Sequence, residues 1–234
     1  VHLNINGAIK ADEAFLNAKG VQINKFRGPH PAGNVGVQIH HIDPINKDEV
    51  VWTLNPQDVL IIARLFKEGK VDMERTIALT GSEVKQPKYY RMLVGQSVKN
   101  VLQNNMNEGD LRVISGDVLT GTQIESDGYL GYYDDQLTVI PEGGNDQFMG
   151  WLAPGLDKFS LSKTFLSWWM PNKKFRLNTN LNGEERAFVM TGEYEKVFPM
   201  DIYPVHLIKA IMIEDIELME KLGIYEVAPE DFAL

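Results

Sequence analysis

The hydrophobic pattern at the start of the chain alternates strand-like and helical segments. Strand character is clear in VHLNIN and in VQINKF, and between them lies DEAFLNAKG, in which Asp12 is a suitable helix N-cap. A strand, a helix and a second strand in this order are typical of a parallel sheet. The sequence therefore predicts part of an α/β domain in this region.

A longer amphipathic helix is predicted after the run VVWTL. Asn55 is a good N-cap, and Pro56 suits the first helical position. Apolar positions then recur at helical spacing on one face, at Val59, Ile62, Leu65 and Phe66. We expect this face to pack against the parallel sheet.

From Arg75 onward the pattern changes to short strands separated by turns. The segment RTIALTGSEVKQPKYYRMLV predicts two strands joined by a turn with Gly81 and Pro87, and Ser97 is placed to cap a short helix. Further strands are predicted in RVISGDVLTG and LGYYDDQLTVIPEG. This order fits a β-grasp module of the α+β class, with one helix covering its sheet.

The last third of the chain is less regular. Segment 142–203 is rich in aromatic and turn residues, and no elements are predicted there. From Pro204 a single helix is predicted, closing at Gly223. Its apolar stripe consists of Val205, Ile208, Met212, Ile216, Met219 and Leu222. The pattern as a whole predicts an α/β region at 1–74, an α+β region at 75–141 and a partly helical region at 142–234.

Composition narrows the classes of function. The 234 residues are 44% hydrophobic and carry 23 Lys and Arg against 32 Asp and Glu, for a formal net charge of −9. So acidic a chain offers no extended basic surface to nucleic acid. Its apolar run VLIIARLF at 59–66 is far shorter than the roughly 20 residues that span a bilayer, and without cysteine no disulfide forms. We expect a cytoplasmic fragment of a longer protein, because strand-like sequence begins at Val1 and nothing closes the chain at Leu234.

A glycine-containing loop and several histidines are candidates for ligand binding. The loop GPHPAGNVG at 28–36 suggests a phosphate cradle at a helix N-terminus, but it matches neither the dinucleotide fingerprint nor the P-loop, so a structural turn is favoured. His30, His40 and His41 with Asp43 contain enough donors for a metal. Adjacent histidines point in different directions in a strand or a helix, so surface or packing imidazoles are favoured and no metal ligand is assigned.

Acidic pairs provide no stronger evidence of catalysis. Asp134 with Asp135 and Glu184 with Glu185 are interpreted as solvated turn carboxylates, since adjacency does not hold two carboxyl groups at a defined separation. No Ser-His-Asp arrangement and no cysteine nucleophile is present in the pattern. We therefore assign no catalytic and no cofactor-binding residue.

The segment FLSWWMPNKKF at 165–175 is the most unusual apolar cluster. Trp168 and Trp169 stand beside Lys173 and Lys174, a combination typical of a surface that meets a partner or a membrane. Core packing is the favoured alternative, because large aromatic side chains mostly fill interiors. Trp168 and Trp169 are the candidates for partner contact.

Residues 188–199, FVMTGEYEKVFP, have the spacing of an iron–sulfur ligand run, C-x2-C-x2-C-x3-C-P, with no cysteine in it. The four ligand positions hold Phe188, Thr191, Tyr194 and Phe198, none of which supplies a thiolate. We interpret this cysteine-free frame as structural, and we expect its four side chains to converge.

Several motifs together resemble one family. GPHPAGNVGVQIHHIDPIN, VVWTLNPQDVLIIARLF, TIALTGSEVKQPKYYR, RVISGDVLTGT, TFLSWWMP and LNGEERAFVMTGEYEKVFPMDIYP are similar to NqrA, a component of the Na+-translocating NADH:quinone reductases. That family is related to the C subunit of the Rnf complex and resembles the FMN-binding subunit of complex I. The resemblance covers essentially the whole chain. It implies the later part of a Rossmann-like domain, an SLBB module with the β-grasp fold and the start of a helical C-terminal domain.

The resemblance also implies a function. The complex transfers electrons from NADH to ubiquinone and exports Na+, using NAD(H), flavins and iron–sulfur centres, with the flavins and iron–sulfur centres on other subunits. NqrA is implied to be a peripheral component on the cytoplasmic side of the bacterial inner membrane, without a redox cofactor of its own. Its implied partners are the other subunits, including one in the membrane, and ubiquinone. The alternative is a free SLBB protein that binds a soluble ligand.

Overall fold

The structure is a computed structural model that describes residues 1–144, 147–150, 152–160, 162–182 and 187–233. The strands are β1 (His2–Asn6), β2 (Gln22–Phe26), β3 (Glu74–Thr80), β4 (Lys88–Leu93), β5 (Leu111–Ser115), β6 (Thr122–Ile124) and β7 (Gln136–Pro141). The α-helices are α1 (Glu13–Leu16), α2 (Val35–Ile42), α3 (Pro56–Glu68), α4 (Lys99–Leu102), α5 (Glu193–Val197), α6 (Pro204–Met212) and α7 (Ile216–Lys221). Single 3-10 turns lie at Leu166–Trp169, Ile224–Glu226 and Pro229–Phe232.

The chain divides into two compact units. The first consists of 1–55 together with 188–234, and the second of 56–187. The mixed α/β and α+β class predicted from the sequence is confirmed by the sheets and helices of these units. The three-region division at 1–74, 75–141 and 142–234 stays a prediction.

In the first unit, β1 and β2 form a parallel pair with His2 opposite Gln22, as the β-α-β pattern predicts. The Asp12 side chain caps α1 by accepting a hydrogen bond from the Ala14 N–H at 2.9 Å. The unit's interior contains Val37 of α2, which packs with Phe198 and Met200. The N-terminal and C-terminal segments of the chain therefore share one apolar core.

The single helix predicted at 204–222 is wrong, because the structure breaks it into α6 and α7. Glu214 has a left-handed backbone, with φ of 58°. Asp215 then caps α7 by accepting a hydrogen bond from the Leu218 N–H at 3.0 Å. The break divides the predicted stripe, so that Val205 is buried while Met212 and Ile216 are exposed.

The second unit contains a five-stranded sheet in the order β4-β3-β7-β5-β6. Its central strands β3 and β7 are parallel, and the other neighbours are antiparallel. Alternation along β3 turns Arg75, Ile77 and Leu79 inward. The core consists of Ile77, Leu79, Val84, Met92, Val98, Val101, Leu102, Val113, Leu137 and Val139, so α4 covers this face of the sheet as the β-grasp order predicts.

Helix α3 differs from its prediction. None of its residues is buried, so its apolar face is not packed against the parallel sheet. It belongs to the second unit, where Gln57 exchanges hydrogen bonds with the backbone of Thr76 at 2.9 and 2.8 Å. Asp58 also pairs with the buried guanidinium of Arg75. Polar contacts at the start of α3 therefore attach it to β3 and leave its apolar face exposed.

None of the helices within the described ranges is long and apolar enough to cross a membrane.

Candidate functional site

The first unit has an open cleft of about 740 Å³. Its walls come from the segments 45–47, 201–203 and 217–226, which follow α2, precede α6 and include α7. Apolar side chains such as Ile202 and Leu222 line it together with lysines, carboxylates and tyrosines. A concave surface with a few converging polar groups is the usual form of a binding site.

Three titratable groups in the cleft pair with one another. Glu220 accepts hydrogen bonds from Lys47 at 2.9 Å and from the Tyr225 hydroxyl at 2.5 Å. The hydrogen bonds from Tyr225 and then Lys47 lower the pKa of Glu220, and the bond to Glu220 raises the pKa of both Lys47 and Tyr225. All three pKa values move away from neutrality. The cluster is therefore built to hold fixed charges, whereas proton transfer requires a pKa near the working pH.

His40 lies behind the cleft and orients two of its lining residues. Its Nε2 accepts a hydrogen bond from the Asp201 N–H at 3.1 Å, so Nδ1 carries the proton and donates to the Glu226 carboxylate at 2.7 Å. His41 meets His40 ring edge to face at 5.4 Å. The histidine pair therefore packs and positions neighbouring groups, as the sequence favours.

The glycine-containing loop does precede a helix, but its N-terminus is filled by the chain's own carboxylate. Asp231 is fully buried, and its Oδ2 accepts a hydrogen bond from the Ala228 N–H at 2.9 Å. A Cβ added at Gly36, in the first turn of α2, would lie 2.3 Å from that oxygen. Burial raises the pKa of Asp231, against the opposing effect of the Ala228 N–H. A phosphate group entering here would have to displace this carboxylate, which favours the structural interpretation of the loop.

Further hydrogen bonds hold the loop to the same C-terminal segment. His30 donates from Nε2 to the Ala233 carbonyl at 2.6 Å, and the Asn34 amide donates to the Glu230 carbonyl at 3.0 Å. His30 is thus a contact within the unit. Over the described ranges, no group of three or more His, Asp or Glu is placed to hold a metal ion.

The four side chains of the cysteine-free frame do not converge on one point. Phe188 and Tyr194 meet edge to face, with ring centroids 6.5 Å apart. Phe198 instead packs against Phe232 in the buried core of the unit, at 5.2 Å, and Thr191 is exposed. The convergence expected from the sequence is therefore wrong, because the short helix α5 carries Tyr194 and Phe198 into different surroundings. A structural role for the frame stays a prediction.

The two candidate contact tryptophans lie in the second unit and are exposed. Trp168 exposes 51% of its surface and Trp169 exposes 67%, so the core-packing alternative is wrong for both. Their rings lie 5.9 Å apart at the end of the 3-10 turn Leu166–Trp169. Exposure of both rings is what a contact surface requires.

The acidic pairs have different outcomes. Asp135 is exposed, in agreement with its interpretation as a solvated turn residue. Asp134 is half-buried and accepts a hydrogen bond from the Ser115 hydroxyl at 2.5 Å, which in turn accepts from the Gly131 N–H at 2.8 Å. Asp134 therefore fixes a turn beside β5. The pair Glu184–Glu185 lies outside the described residues.

Two buried carboxylates were not predicted from the sequence. Glu83 lies in the turn after β3, where Arg176 binds it with two hydrogen bonds of 2.6 and 2.8 Å. Asp231 is the other. Acidic residues in turn-rich segments are ordinarily exposed, and no local signal marks these two as buried.

Two family models match the chain. Residues 1–71 match the model described as the NqrA second alpha/beta domain, and residues 76–126 match the model described as the NQRA C-terminal domain, an SLBB model. These ranges coincide with the α/β start of the chain and with most of the five-stranded sheet.

Curated relatives carry the same family name over a longer range. A protein of Neisseria meningitidis serogroup B, named as the NqrA component of Na(+)-translocating NADH-quinone reductase, is 42% identical over 234 residues, which is 99% of this chain and 52% of the relative. A protein of Hahella chejuensis with the same name is 42% identical over 211 residues, 90% of this chain and 47% of the relative. One from Yersinia pestis bv. Antiqua is 40% identical over 215 residues, 92% of this chain and 48% of the relative. The chain spans about half the length of the curated relatives it matches.

Proposed function

The chain belongs to the NqrA family of the Na(+)-translocating NADH-quinone reductases, and we propose that it serves in that complex as a peripheral component without a redox cofactor of its own. Its role is in assembly of the complex and in contact with ubiquinone, on the cytoplasmic side of the bacterial inner membrane. The observation that carries the proposal is the 42% identity to an NqrA protein over 99% of the chain. NAD(H), flavins and iron–sulfur centres are then held by the other subunits.

The chemistry of the described residues supports a role other than electron transfer. The frame at 188–199 offers phenylalanine, threonine and tyrosine where a cluster needs thiolates, and the chain contains no cysteine. The helix N-terminus that follows the 28–36 loop is filled by Asp231. In the cleft, Lys47 and Glu220 stabilise each other as fixed charges. These features favour binding and docking over catalysis by this chain alone.

An assembly surface is proposed at the break between α6 and α7. Met212, Ile213 and Ile216 are each exposed by about two thirds of their surface, and they cluster within five positions of the sequence. Large apolar side chains grouped in this way mark protein contact sites more often than scattered ones do. A neighbouring subunit that covers them would bury the part of the predicted stripe that the break leaves outside the core.

Co-purification tests this role. An affinity-tagged chain, produced with the other subunits of its source complex and solubilised in detergent, is expected to carry those subunits and their flavin absorbance through purification. Substituting Ile213→Asp with Ile216→Asp is expected to reduce the recovered partners by about tenfold or more, because a buried charge without a partner is costly. Ile9→Asp is the matched control, since Ile9 has an equally exposed side chain in the same unit.

A tagged wild-type chain recovered without other subunits would contradict the proposal. Partner loss of equal size in the Ile9→Asp control would contradict the assignment of the surface to Ile213 and Ile216.

Contact with quinone is tested separately on the assembled complex. A photoreactive ubiquinone analogue is expected to label this chain, and an excess of unmodified ubiquinone is expected to suppress the label. Mass spectrometry of the separated subunits measures where the label is attached. Label restricted to the other subunits would contradict a quinone contact here while leaving the assembly role intact.

A further inference from the structure

The second unit presents a surface in which the usual order of burial is reversed. In the 3-10 turn Leu166–Trp169, Ser167 exposes only 4% of its surface, while the neighbouring Trp168 and Trp169 expose 51% and 67%. Serine is normally an exposed residue and tryptophan a largely buried one. We name Trp168, Trp169 and the flanking Lys163 and Lys174 the tryptophan patch.

Hydrogen bonds hold this turn in the orientation that exposes its rings. The Ser167 hydroxyl donates to the Lys158 carbonyl at 2.5 Å, and the Leu166 N–H donates to the Pro154 carbonyl at 3.0 Å. Beside it, Phe159 and Phe175 pack edge to face at 5.6 Å. Because the inward position is taken by Ser167, the tryptophans are held outward by the local structure.

The charge of this region is opposite to that of the whole chain. Between 156 and 176 the sequence carries four lysines and one arginine but a single acid, Asp157, whereas the formal net charge of the chain is −9. Asp157 is paired with Lys173, and Arg176 is paired with Glu83. The region is a basic island on an acidic protein.

The lysines of the patch remain available to a partner. Lys163 and Lys174 form no ion pair with any residue that the structure describes. The ammonium of Lys163 lies 5.9 Å from the ring centre of Trp168. Two exposed indoles and two unneutralised ammonium groups are therefore presented together.

From this combination we propose that the tryptophan patch docks on the surface of an anionic lipid bilayer. Tryptophan rings settle at the level of lipid headgroups, where the apolar body is buried and the indole N–H stays hydrated. Lysine extends its apolar stem and holds its charge against anionic headgroups. Protein interfaces enrich tryptophan but are depleted of lysine, so the pairing of both fits a lipid surface better than a protein.

This contact goes beyond the proposed function and does not depend on it. It would hold the second unit against the membrane whichever protein subunit covers Ile213 and Ile216. Two tryptophans and two lysines give a weak, reversible attachment, since stable anchoring requires further signals. The bilayer contact thus adds to, and does not replace, attachment through partner subunits.

Vesicle flotation of the purified 234-residue chain tests the proposal. The chain is expected to float with vesicles of phosphatidylcholine containing phosphatidylglycerol, to remain behind with phosphatidylcholine alone, and to dissociate as salt is raised. Trp168→Ala with Trp169→Ala is expected to lower the partition coefficient by about tenfold. Trp52→Ala is the matched control, because Trp52 is 90% exposed in the other unit.

The charge of the patch is tested in the same assay. Lys163→Gln with Lys174→Gln is expected to lower binding to the anionic vesicles by about tenfold and to remove most of its salt dependence. Lys67→Gln with Lys70→Gln changes two exposed lysines of the same unit and is expected to leave binding unchanged. Circular dichroism and thermal unfolding establish that all variants fold.

Three results would overturn the proposal. The first is a wild-type chain that ignores anionic vesicles. The second is a Trp168→Ala, Trp169→Ala variant that binds them as the wild type does. The third is a variant of the patch that retains vesicle binding but loses the partner subunits in co-purification, which would assign the surface to a protein contact. Failure of the co-purification in the wild type, with vesicle binding intact, would contradict the proposed function alone.

Discussion

Replacing Gly36 by alanine is expected to destabilise the first unit by about 2–3 kcal/mol. In most helices the same replacement is stabilising, because alanine has the higher helix propensity by about 1 kcal/mol. Here the added Cβ would lie 2.3 Å from Oδ2 of Asp231 and 3.0 Å from its Cγ. That carboxylate is fully buried and held by the Ala228 N–H, so it has no nearby space into which to move. The overlap therefore reverses the usual sign of the substitution.

The measurement is the free energy of unfolding from urea denaturation, with the tryptophan and far-ultraviolet signals followed together. Gly33→Ala is the matched control in the same loop, because a Cβ added there meets nothing within 4 Å. We expect that control to change stability by no more than about 0.5 kcal/mol. Equal effects of the two alanines would show that contact with Asp231 is not the cause.

A double-mutant cycle isolates the contact itself. Asp231→Ala alone removes the acceptor of the Ala228 N–H and is expected to cost about 1–3 kcal/mol. Once that carboxylate is gone, Gly36→Ala is expected to cost little further. The coupling between the two sites should therefore be about 1–3 kcal/mol, in the range for residues in contact. Strict additivity would contradict a steric origin.

Where local sequence decides the structure, the pattern predicts it correctly. Strand β3 alternates, and its inward positions Ile77 and Leu79 are in the core. Asp12 caps α1, and the parallel pairing of β1 with β2 follows the β-α-β order. In each case the physical cause lies within a few residues of the element that it determines, so periodicity and capping preferences are enough.

Where the cause lies far away in sequence, the pattern fails. The apolar face of α3 has helical spacing, but its attachment to β3 is decided by Gln57 and Asp58. The loop at 28–36 is filled from a segment 196 positions away, as the Asn34 contact with Glu230 illustrates. Apolar spacing cannot report which distant residue returns to a site. Nor can it tell an exposed tryptophan from a buried one, because burial depends on what else the fold places nearby.

Acidification is expected to remove about 2–3 kcal/mol of stability through Glu83. Glu83 exposes only 1% of its surface, and the hydrogen bonds from Arg176, assisted by Asn107 and Ser82, lower its pKa from 4.5 to about 2 against the opposing effect of burial. A carboxyl group with a lowered pKa stabilises the folded state wherever the unfolded chain would be ionised, which is above pH 4.5. That contribution is then lost as the pH falls through the folded value near 2.

Urea unfolding from neutral pH down to about pH 2 measures this dependence for the wild type and for Glu83→Gln. The glutamine keeps the shape of the side chain but cannot ionise, so the wild-type advantage should be full at neutral pH and vanish at the acid end. Arg176→Gln is expected to flatten the same dependence, because the first cause of the lowered pKa is removed. Glu68→Gln, at an exposed position of the same unit, controls for the loss of one charge. If the wild-type and Glu83→Gln curves stayed parallel over the whole range, ionisation of Glu83 would not stabilise the second unit, and Arg176 would be only a surface contact.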